Sequence, residues 1–243
     1  MLLRRPMPPP GHAWSARRLN ALAAGLPGAR RYLEVGLATG VTFELVNLPE
    51  RVGVDPEPQF DLRRLPKGTR VHPVTSDEYF AENSEHFDLV FLDGLHTYQQ
   101  TYRDLVNALR TCPHGVILID DVVPCDEVSA IPDLTESLRQ RELLSLEGSP
   151  WHGDVFRMVA CLADHHPELD WRTITHGGNP QMVLWRRRSG LPVVAVEGQV
   201  LESLSKLTYA DVFGGGVPDD FRVASEPEAL RAALSAVTVN GVR

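Results

Sequence analysis

A short loop with two glycines closes the first apolar run of the sequence and could bind a nucleotide-like ligand. It reads Glu-x-Gly-x-x-x-Gly over residues 34–40, and Asp55 follows Gly36 by 19 positions. Glycine allows a tight turn beside a ligand, and a carboxylate at the tip of the next strand can accept both hydroxyls of a ribose. Because an acid precedes the glycines and the Gly-x-Gly-x-x-Gly of dinucleotide sites is missing, an amino-acid or sulfonium tail is favoured over a pyrophosphate.

Further carboxylates follow the predicted strands, at the edge where open parallel sheets bind ligands. They are, in chain order, Asp77, Asp93, Asp120 and Asp121. Strands on either side of one crossover helix tend to be neighbours, so Asp93 should lie beside Asp120 and Asp121. Like charges at short range raise a pKa or recruit a cation, and Mg²⁺ is an economical cation for carboxylate ligands. For Asp77 the alternative is a cap on the next helix, formed together with Ser76.

Two segments beside these acids carry side chains suited to proton transfer or substrate binding. His96 lies three residues beyond Asp93, near the expected start of a helix. Its imidazole could take a proton from a hydroxyl, or it could cap or pack the helix. Trp151, His152 and Asp154 cluster in a long connection of the kind that often forms a substrate lid. The alternative is an ordinary loop in which Asp154 caps a helix.

Short apolar runs alternate with helical periods, which is typical of an α/β fold with a parallel sheet covered on both faces. Strands are predicted over 32–35, 51–54, 71–74, 87–92 and 116–119, with 171–175 and 181–185 as an antiparallel edge. Helices are predicted over 15–26, from Tyr98 to before His114, over 151–166, and after a capping box at 225–228. We expect an N-terminal arm and helix over 1–30, one main domain over 31–188 and a C-terminal extension over 189–243.

Composition excludes several classes of function. The net charge of −8 and the absence of a basic face argue against nucleic-acid binding, and the basic run at 186–188 is expected to be a solvated strand end. Three cysteines without a Cys-x-x-Cys pair argue against a zinc cluster or a disulfide framework, so a reducing, cytoplasmic compartment is expected. The proline-rich first residues do not form a signal peptide, and no segment has the apolar length of a membrane span.

The segment 87–98, with Asp-Gly-x-His-x-Tyr at its end, is the most specific part of the sequence. Together with the loop over 34–40, Asp55 and Asp77, it resembles class I S-adenosylmethionine-dependent methyltransferases. The closest branch is that of small-molecule O-methyltransferases, including those that tailor sugars of natural products. The similarity runs over about 32–185. It implies a Rossmann-like fold with a mostly parallel seven-stranded sheet, an antiparallel edge strand and helices on both faces.

The resemblance also implies roles for individual residues. The glycine loop would cradle the methionine part of the cofactor, and Asp55 would hold the ribose. Asp93, Asp120 and Asp121 resemble the acidic and amide ligands of metal-dependent members, which implies bound Mg²⁺. Leu95 replaces an acid of some metal-dependent sugar enzymes, which moves the catalytic base to His96. The implied cofactor-binding residues are Glu34, Gly36, Ala38, Thr39, Gly40, Asp55, Ser76, Asp77 and Asp93, with Ala38 at a position where many relatives have glycine.

We therefore expect an S-adenosylmethionine-dependent O-methyltransferase that acts on a hydroxylated small molecule, with a sugar of a natural product as one candidate. Methyl transfer is an in-line displacement, so the protein must align an oxygen and remove its proton; Asp93, Mg²⁺ and His96 would share this task. A nicotinamide-dependent oxidoreductase and a non-catalytic binding protein of the same fold remain open. Neither nucleic acid nor membrane is expected as a partner, and an exposed strand over 191–196 would allow a homo-oligomer.

Overall fold

The computed structural model describes residues 13–188 and 191–241. The proline-rich start of the predicted arm and the two residues at the predicted boundary near 189 lie outside the described residues. The strands are β1 Arg31–Val35, β2 Glu50–Val54, β3 Thr69–His72, β4 Leu89–Leu92, β5 Val116–Ile119, β6 Leu169–Ile174 and β7 Gln181–Arg186. The helices are α1 Ala13–Gly25, α2 Val41–Leu45, α3 Ser76–Glu82, α4 Tyr98–Thr111, α5 Leu134–Leu143, α6 Arg157–His165, α7 Gly198–Leu204, α8 Tyr209–Phe213 and α9 Glu226–Gly241, with short 3₁₀ turns at Leu62–Arg64 and Asp219–Phe221.

The strands form one seven-stranded sheet in the order β3-β2-β1-β4-β5-β7-β6. The first five are parallel, and β7 is antiparallel to both β5 and β6. The predicted α/β fold with an antiparallel edge is confirmed. The strand order reverses between β1 and β4, and such a switch point opens a crevice at the carboxyl ends of the strands.

Helices cover both faces of the sheet because its central strands are apolar on both sides. In β4, Leu89 and Phe91 pack into a core with α1, α2 and α9, whereas Val90 and Leu92 pack into a second core with α4 and α6. Each of these side chains is almost fully buried. Burial on both faces fixes the register of β4, because a slip by one residue would exchange the two faces.

The C-terminal residues belong to the same folded unit. Helix α9 packs on β6, β7 and α1 and contributes Ala229 and Ala233 to the core. Val223 forms a bridge with Thr173, so residues 222–224 cover the edge of the sheet at β6. The expectation of an exposed strand over 191–196 is wrong, since this segment has no regular structure.

The helices also differ from the sequence prediction. The helix predicted from residue 151 begins at Arg157, because the backbone N–H groups of His152 and Gly153 donate to the carbonyl of Ser129 instead of entering a helix. Helix α5 was not predicted; Asp133 caps its first turn by accepting from the backbone N–H of Glu136. Among the described residues, no helix is long and apolar enough to cross a membrane.

Candidate active site

A cavity of about 670 Å³ lies at the carboxyl ends of β1, β2 and β4, within the size range of small-ligand sites. Carboxylates at four positions line it, and one histidine stands at its far end. Lysine and arginine are absent from its lining in the described part of the chain. The charged or titratable lining residues are Asp55, Asp77, Asp93, Asp104 and His96. The cavity therefore suits a cation and opposes a phosphate.

The glycine loop lies against the tip of β4. Gly36 has a φ of +86°, and a Cβ placed on it would stand 1.8 Å from the carbonyl oxygen of Asp93. Only glycine allows this approach, which brings the ends of β1 and β4 together under the cavity. Ala38 also adopts a left-handed conformation, with a φ of 42°. Glycine would adopt this conformation without strain.

Asp55 holds the glycine loop in place. Its Oδ2 accepts hydrogen bonds from the backbone N–H groups of Leu37 and Ala38 at 2.7 and 2.9 Å, and its Oδ1 accepts from Glu57 N–H at 2.7 Å. A carboxylate has about four acceptor positions, so Asp55 retains capacity for a ribose hydroxyl. The same side chain thus shapes the loop and faces the cavity.

The side chains of Ser76 and Asp77 face the cavity and do not cap α3. The cap is Thr75, which forms a capping box with Glu78. Gln100 Nε2 donates to Ser76 Oγ at 3.1 Å and contacts Asp77 Oδ1 at 3.4 Å. This end of the cavity therefore presents several hydrogen-bonding groups to a polar ring such as adenine.

Asp104 lies beneath the same end of the cavity, on the inner face of α4. Gln100 Nε2 donates to its Oδ1 at 3.0 Å, and Ser76 also bonds to it. Burial of the carboxyl raises the pKa of Asp104 to about 6. Asp104 was not predicted as a site residue, although an acid on the apolar face of an amphipathic helix indicates a buried carboxylate with a shifted pKa.

Glu34, Thr39 and Gly40 are not among the lining residues of the cavity. Gly40 instead begins α2 with a φ of 75°. Glu34 is 1% exposed, and its Oε2 accepts from the hydroxyl of Tyr32 at 2.5 Å. Burial raises the pKa of Glu34 well above its usual value. The cofactor contacts expected for these three residues stay predictions.

His96 stands between two carboxylates at the other end of the cavity. Its Nε2 lies 3.4 Å from Asp93 Oδ1, and its Nδ1 lies 3.0 Å from Asp121 Oδ2, without the alignment of a strong hydrogen bond in the latter case. Burial acts to lower the pKa of His96, but Asp121 and Asp93 together raise it well above the ordinary value. The imidazole is therefore a stronger base than a free histidine, once it has lost its proton.

The predicted lid residues fix the position of His96. Trp151 stacks on its ring, with centroids 4.6 Å apart and an angle of 5° between the planes. Gly153 lies so close that an added Cβ would stand 1.7 Å from the carbonyl oxygen of His96. Asp154 Oδ1 accepts from the backbone N–H of Tyr98 at 2.6 Å and so caps α4 from another part of the chain. The structure thus joins 151–154 to 96–98.

His152 does not line the cavity and lies near the buried Asp121. Its Nε2 is 3.8 Å from Asp121 Oδ1, and burial lowers the pKa of His152. Asp121 itself is buried and has a φ of 57°, an uncommon conformation for a residue with a side chain. Strained backbone of this kind is concentrated at functional sites.

Residues 33–122 match the family model described as a methyltransferase domain. This segment is therefore similar to methyltransferase domains. The resemblance to class I S-adenosylmethionine-dependent methyltransferases, drawn above from the loop over 34–40 and the segment over 87–98, is confirmed. No curated protein matches the sequence.

The chain is similar in part to three solved structures. An amino pentose methyltransferase from Micromonospora echinaspora, bound to S-adenosylmethionine and involved in calicheamicin biosynthesis, is 23% identical over 45% of this chain and 50% of its own, with a TM-score of 0.38. A sugar N-methyltransferase from a Streptoalloteichus species is 28% identical over 46% of this chain and 47% of its own, with a TM-score of 0.35. The matches thus span about half the length of these two proteins.

The third structure is an O-methyltransferase from Bacillus cereus in complex with S-adenosylhomocysteine. It is 17% identical over 70% of this chain and 78% of its own, with a TM-score of 0.43.

The acids around His96 do not fit a Mg²⁺ site as they are arranged. Among the described residues, no three His, Cys, Asp or Glu side chains form a group that could hold a metal ion. Asp120 Oδ1 accepts from Gln181 Nε2 at 3.0 Å, and its Oδ2 accepts from Asn179 Nδ2 at 3.3 Å. His96 occupies the space between Asp93 and Asp121, so a protonated imidazole supplies the positive charge that the sequence argument assigned to a metal ion.

The structure brings most of the predicted site residues into one cavity. Trp151 lines it, whereas His152, Asp154, Asp120 and Asp121 stand behind the lining. Burial and the neighbouring Asp93 raise the pKa of Asp120 to about 7. The lining residues that the sequence analysis did not single out include Gln59, Gln100, Asp104 and Leu134.

Proposed function

We propose that this protein is an S-adenosylmethionine-dependent O-methyltransferase that acts on a hydroxyl group of a small molecule. The position of His96 carries the proposal: a strong base stands at the wall of a cavity whose remaining charged groups are all carboxylates. A sulfonium cofactor with a free amino group is a cation, and such a cavity attracts it. Beyond the bound cofactor, His96 is then placed to take the proton from the hydroxyl group that accepts the methyl group.

The lining suggests how the cofactor would lie. Ser76, Asp77 and Gln100 offer partners to adenine, and Asp55 offers its carboxylate to the ribose. The methionine part would then cross the loop at Gly36, which lies against the tip of β4. This orientation directs the sulfur toward the end of the cavity where His96 stands.

Methyl transfer from the sulfonium to the acceptor is a displacement in line with the breaking bond. The hydroxyl oxygen forms a bond to the methyl carbon, the carbon–sulfur bond breaks, and sulfur keeps the electron pair. The hydroxyl proton moves to the neutral form of His96, and Asp93 and Asp121 then stabilise the charged form that results. A positioned base of this kind contributes about 10² to 10⁴ in rate.

A nicotinamide-dependent oxidoreductase is disfavoured, because the loop over 34–40 lacks the Gly-x-Gly-x-x-Gly of dinucleotide sites and the described cavity lining holds no lysine or arginine. The two hypotheses are separated by thermal shift with S-adenosylhomocysteine and with NAD. We expect the first compound alone to raise the melting temperature. Stabilisation by NAD alone would contradict the proposal, and stabilisation by neither compound would favour a non-catalytic protein of this fold.

A Mg²⁺ requirement stays a prediction, and no step of the proposed reaction depends on it. An ion bound by Asp93 and Asp121 would have to displace His96 from between them. Turnover that is lost in a chelator and restored by Mg²⁺ would establish the metal. Turnover that is unaffected would leave His96 as the group that balances the acids.

A further inference from the structure

The far end of the cavity is bordered by apolar side chains. Leu95 and Leu134 line the cavity together with Trp151, and we call these three residues the acceptor rim. Leu95 is 60% exposed and Leu134 is 43% exposed, although both lie beside the polar groups of the site. Scattered exposed leucines are ordinary, but apolar groups that share one cavity with a base mark a binding surface.

Two hydrogen bonds and a ring stack hold the segments that carry Trp151 and Leu134. Trp151 Nε1 donates to the carbonyl of Ile131 at 2.8 Å, and its ring stacks on His96. Helix α5, which begins at Leu134, is tied down where Ser137 Oγ donates to Val128 O at 2.8 Å. A rim that is fixed before a ligand arrives loses little conformational entropy on binding.

The chemistry of the rim restricts the acceptor. Basic side chains are absent from the described lining, so nothing there would attract a phosphate or a carboxylate on the acceptor. A small, fully polar acceptor would leave the two leucines in water. An acceptor with an apolar portion would cover them and gain about fourfold in affinity for each methylene that it buries.

We propose that the acceptor carries an apolar body, of the size of a phenyl ring or a short alkyl chain, which lies on the acceptor rim while its hydroxyl points to His96. This inference rests on the proposed function and names its substrate class. Leu138, one turn beyond Leu134 on α5 and 41% exposed, extends the same surface for a longer apolar group.

The test uses three glycosides with the same sugar and different aglycones: methyl, phenyl and hexyl β-glucoside. Their affinities are measured by calorimetry with the full chain saturated with S-adenosylhomocysteine. We expect the phenyl and hexyl compounds to bind at least about tenfold more tightly than the methyl compound. Equal affinities, or no binding of any of the three, would overturn the proposal.

Variants of the protein test whether the leucines of the acceptor rim cause the preference for apolar aglycones. Leu95→Ser combined with Leu134→Ser should remove the preference for apolar aglycones. The matched control is Leu143→Ser, which changes a leucine at the far end of α5 that is 65% exposed and does not line the cavity. A preference that survives in the double variant, or is lost equally in the control, contradicts the role of the rim.

Two other outcomes are distinguished by the same samples. If S-adenosylhomocysteine itself does not bind, the proposed function fails and the acceptor class fails with it. If the cofactor binds but the aglycone has no effect, only the acceptor class fails. Sedimentation of the wild type and the double variant shows whether the leucines join two copies of the chain; a dimer that is lost in the variant would assign the rim to that contact and overturn the proposal.

Discussion

The two ends of the cavity are built in different ways. At the cofactor end, Asp55 follows β2 directly and Ser76 and Asp77 begin the helix after β3, so the parallel strands bring them together. At the acceptor end, His96 is positioned by Trp151 and Gly153, which lie more than fifty residues further along the chain. The cofactor end is thus a consequence of the fold class, whereas the acceptor end depends on tertiary contacts that belong to this sequence.

The difference shows where function can vary within one fold. A site at the tips of parallel strands keeps its place whenever the sheet forms. A site assembled by a connecting segment can change with a few substitutions in that segment. We therefore expect substitutions to separate cofactor binding from methyl transfer.

Two glycine substitutions should break the two ends separately and have the largest effects. Gly36→Ala places a Cβ against the carbonyl of Asp93, and Gly153→Ala places one against the carbonyl of His96. Both positions also have positive φ, so each substitution should cost more than about 3 kcal/mol of stability. Denaturant unfolding measures this loss, with Gly198→Ala, where an added Cβ meets nothing, as the control.

The folded fraction of each variant is then compared for its affinity for S-adenosylhomocysteine and for its turnover. Gly36→Ala should lose affinity for S-adenosylhomocysteine, whereas Gly153→Ala should keep it and lose turnover. Equal loss of affinity in both variants would show that the two ends are not independent.

His96→Ala should lower kcat by about 10² to 10⁴, because the acceptor proton loses its base. The affinity for S-adenosylhomocysteine should change by less than about threefold. The control is His86→Ala, at an exposed histidine outside the cavity lining. Wild-type turnover in His96→Ala at all pH values would remove the base from the proposed reaction.

Asp104→Asn should stabilise the protein above pH 6. Below about pH 3 the carboxyl is largely protonated in both states and contributes little pH dependence. As the pH rises from there to the folded-state pKa of about 6, unfolding releases a proton, so the wild type loses stability that the variant keeps, by about 3 kcal/mol in total. Urea unfolding at pH 4 and pH 8 measures the difference; an equal gain in the exposed control Asp164→Asn would refute the explanation.

Asp121→Asn should move the acid limb of the pH–rate profile to lower pH. Asp121 and Asp93 both raise the pKa of His96, so removing one charge lets the imidazole lose its proton more easily. Asp133→Asn is the control, because asparagine still caps α5. An acid limb that stays at the same pH would mean that a group other than His96 sets the pH dependence of the rate.

Ala38→Gly should have the smallest effect. Glycine adopts the left-handed conformation of this position without strain, but it also gains freedom in the unfolded chain, so the free energy of unfolding should change by less than about 1 kcal/mol. The affinity for S-adenosylhomocysteine should stay within about twofold. A large gain in affinity would show that Ala38 holds the loop away from the shape that the cofactor needs.

The sequence was sufficient for the cofactor end because strand and loop signals there are local. The apolar runs and the glycine loop placed Asp55, Asp77 and Asp93 at one edge of the sheet, as observed. The burial of Glu34 against Tyr32 was not predictable from the loop pattern, since the direction of a side chain depends on the register of the strand.

For the acceptor end, the sequence predicted candidate residues but not their arrangement in space. His96, Trp151 and Asp154 were candidates, but their sequence separation gave no reason to join them. The stacking of Trp151 and the cap of α4 by Asp154 depend on the turn at Gly153, which the sequence suggested as part of a helix. The prediction of a metal site likewise counted the acids without the histidine between them, and the Mg²⁺ requirement stays a prediction.

The most direct test of the two-ended site is a crystal structure of the complex with S-adenosylhomocysteine. We expect adenine beside Ser76 and Asp77, the ribose at Asp55, and the sulfur directed toward His96 at the acceptor rim, with no metal ion between Asp93 and Asp121. Cofactor density in another orientation, with the sulfur away from His96, or a metal ion that displaces the imidazole from between the two acids, would contradict this account.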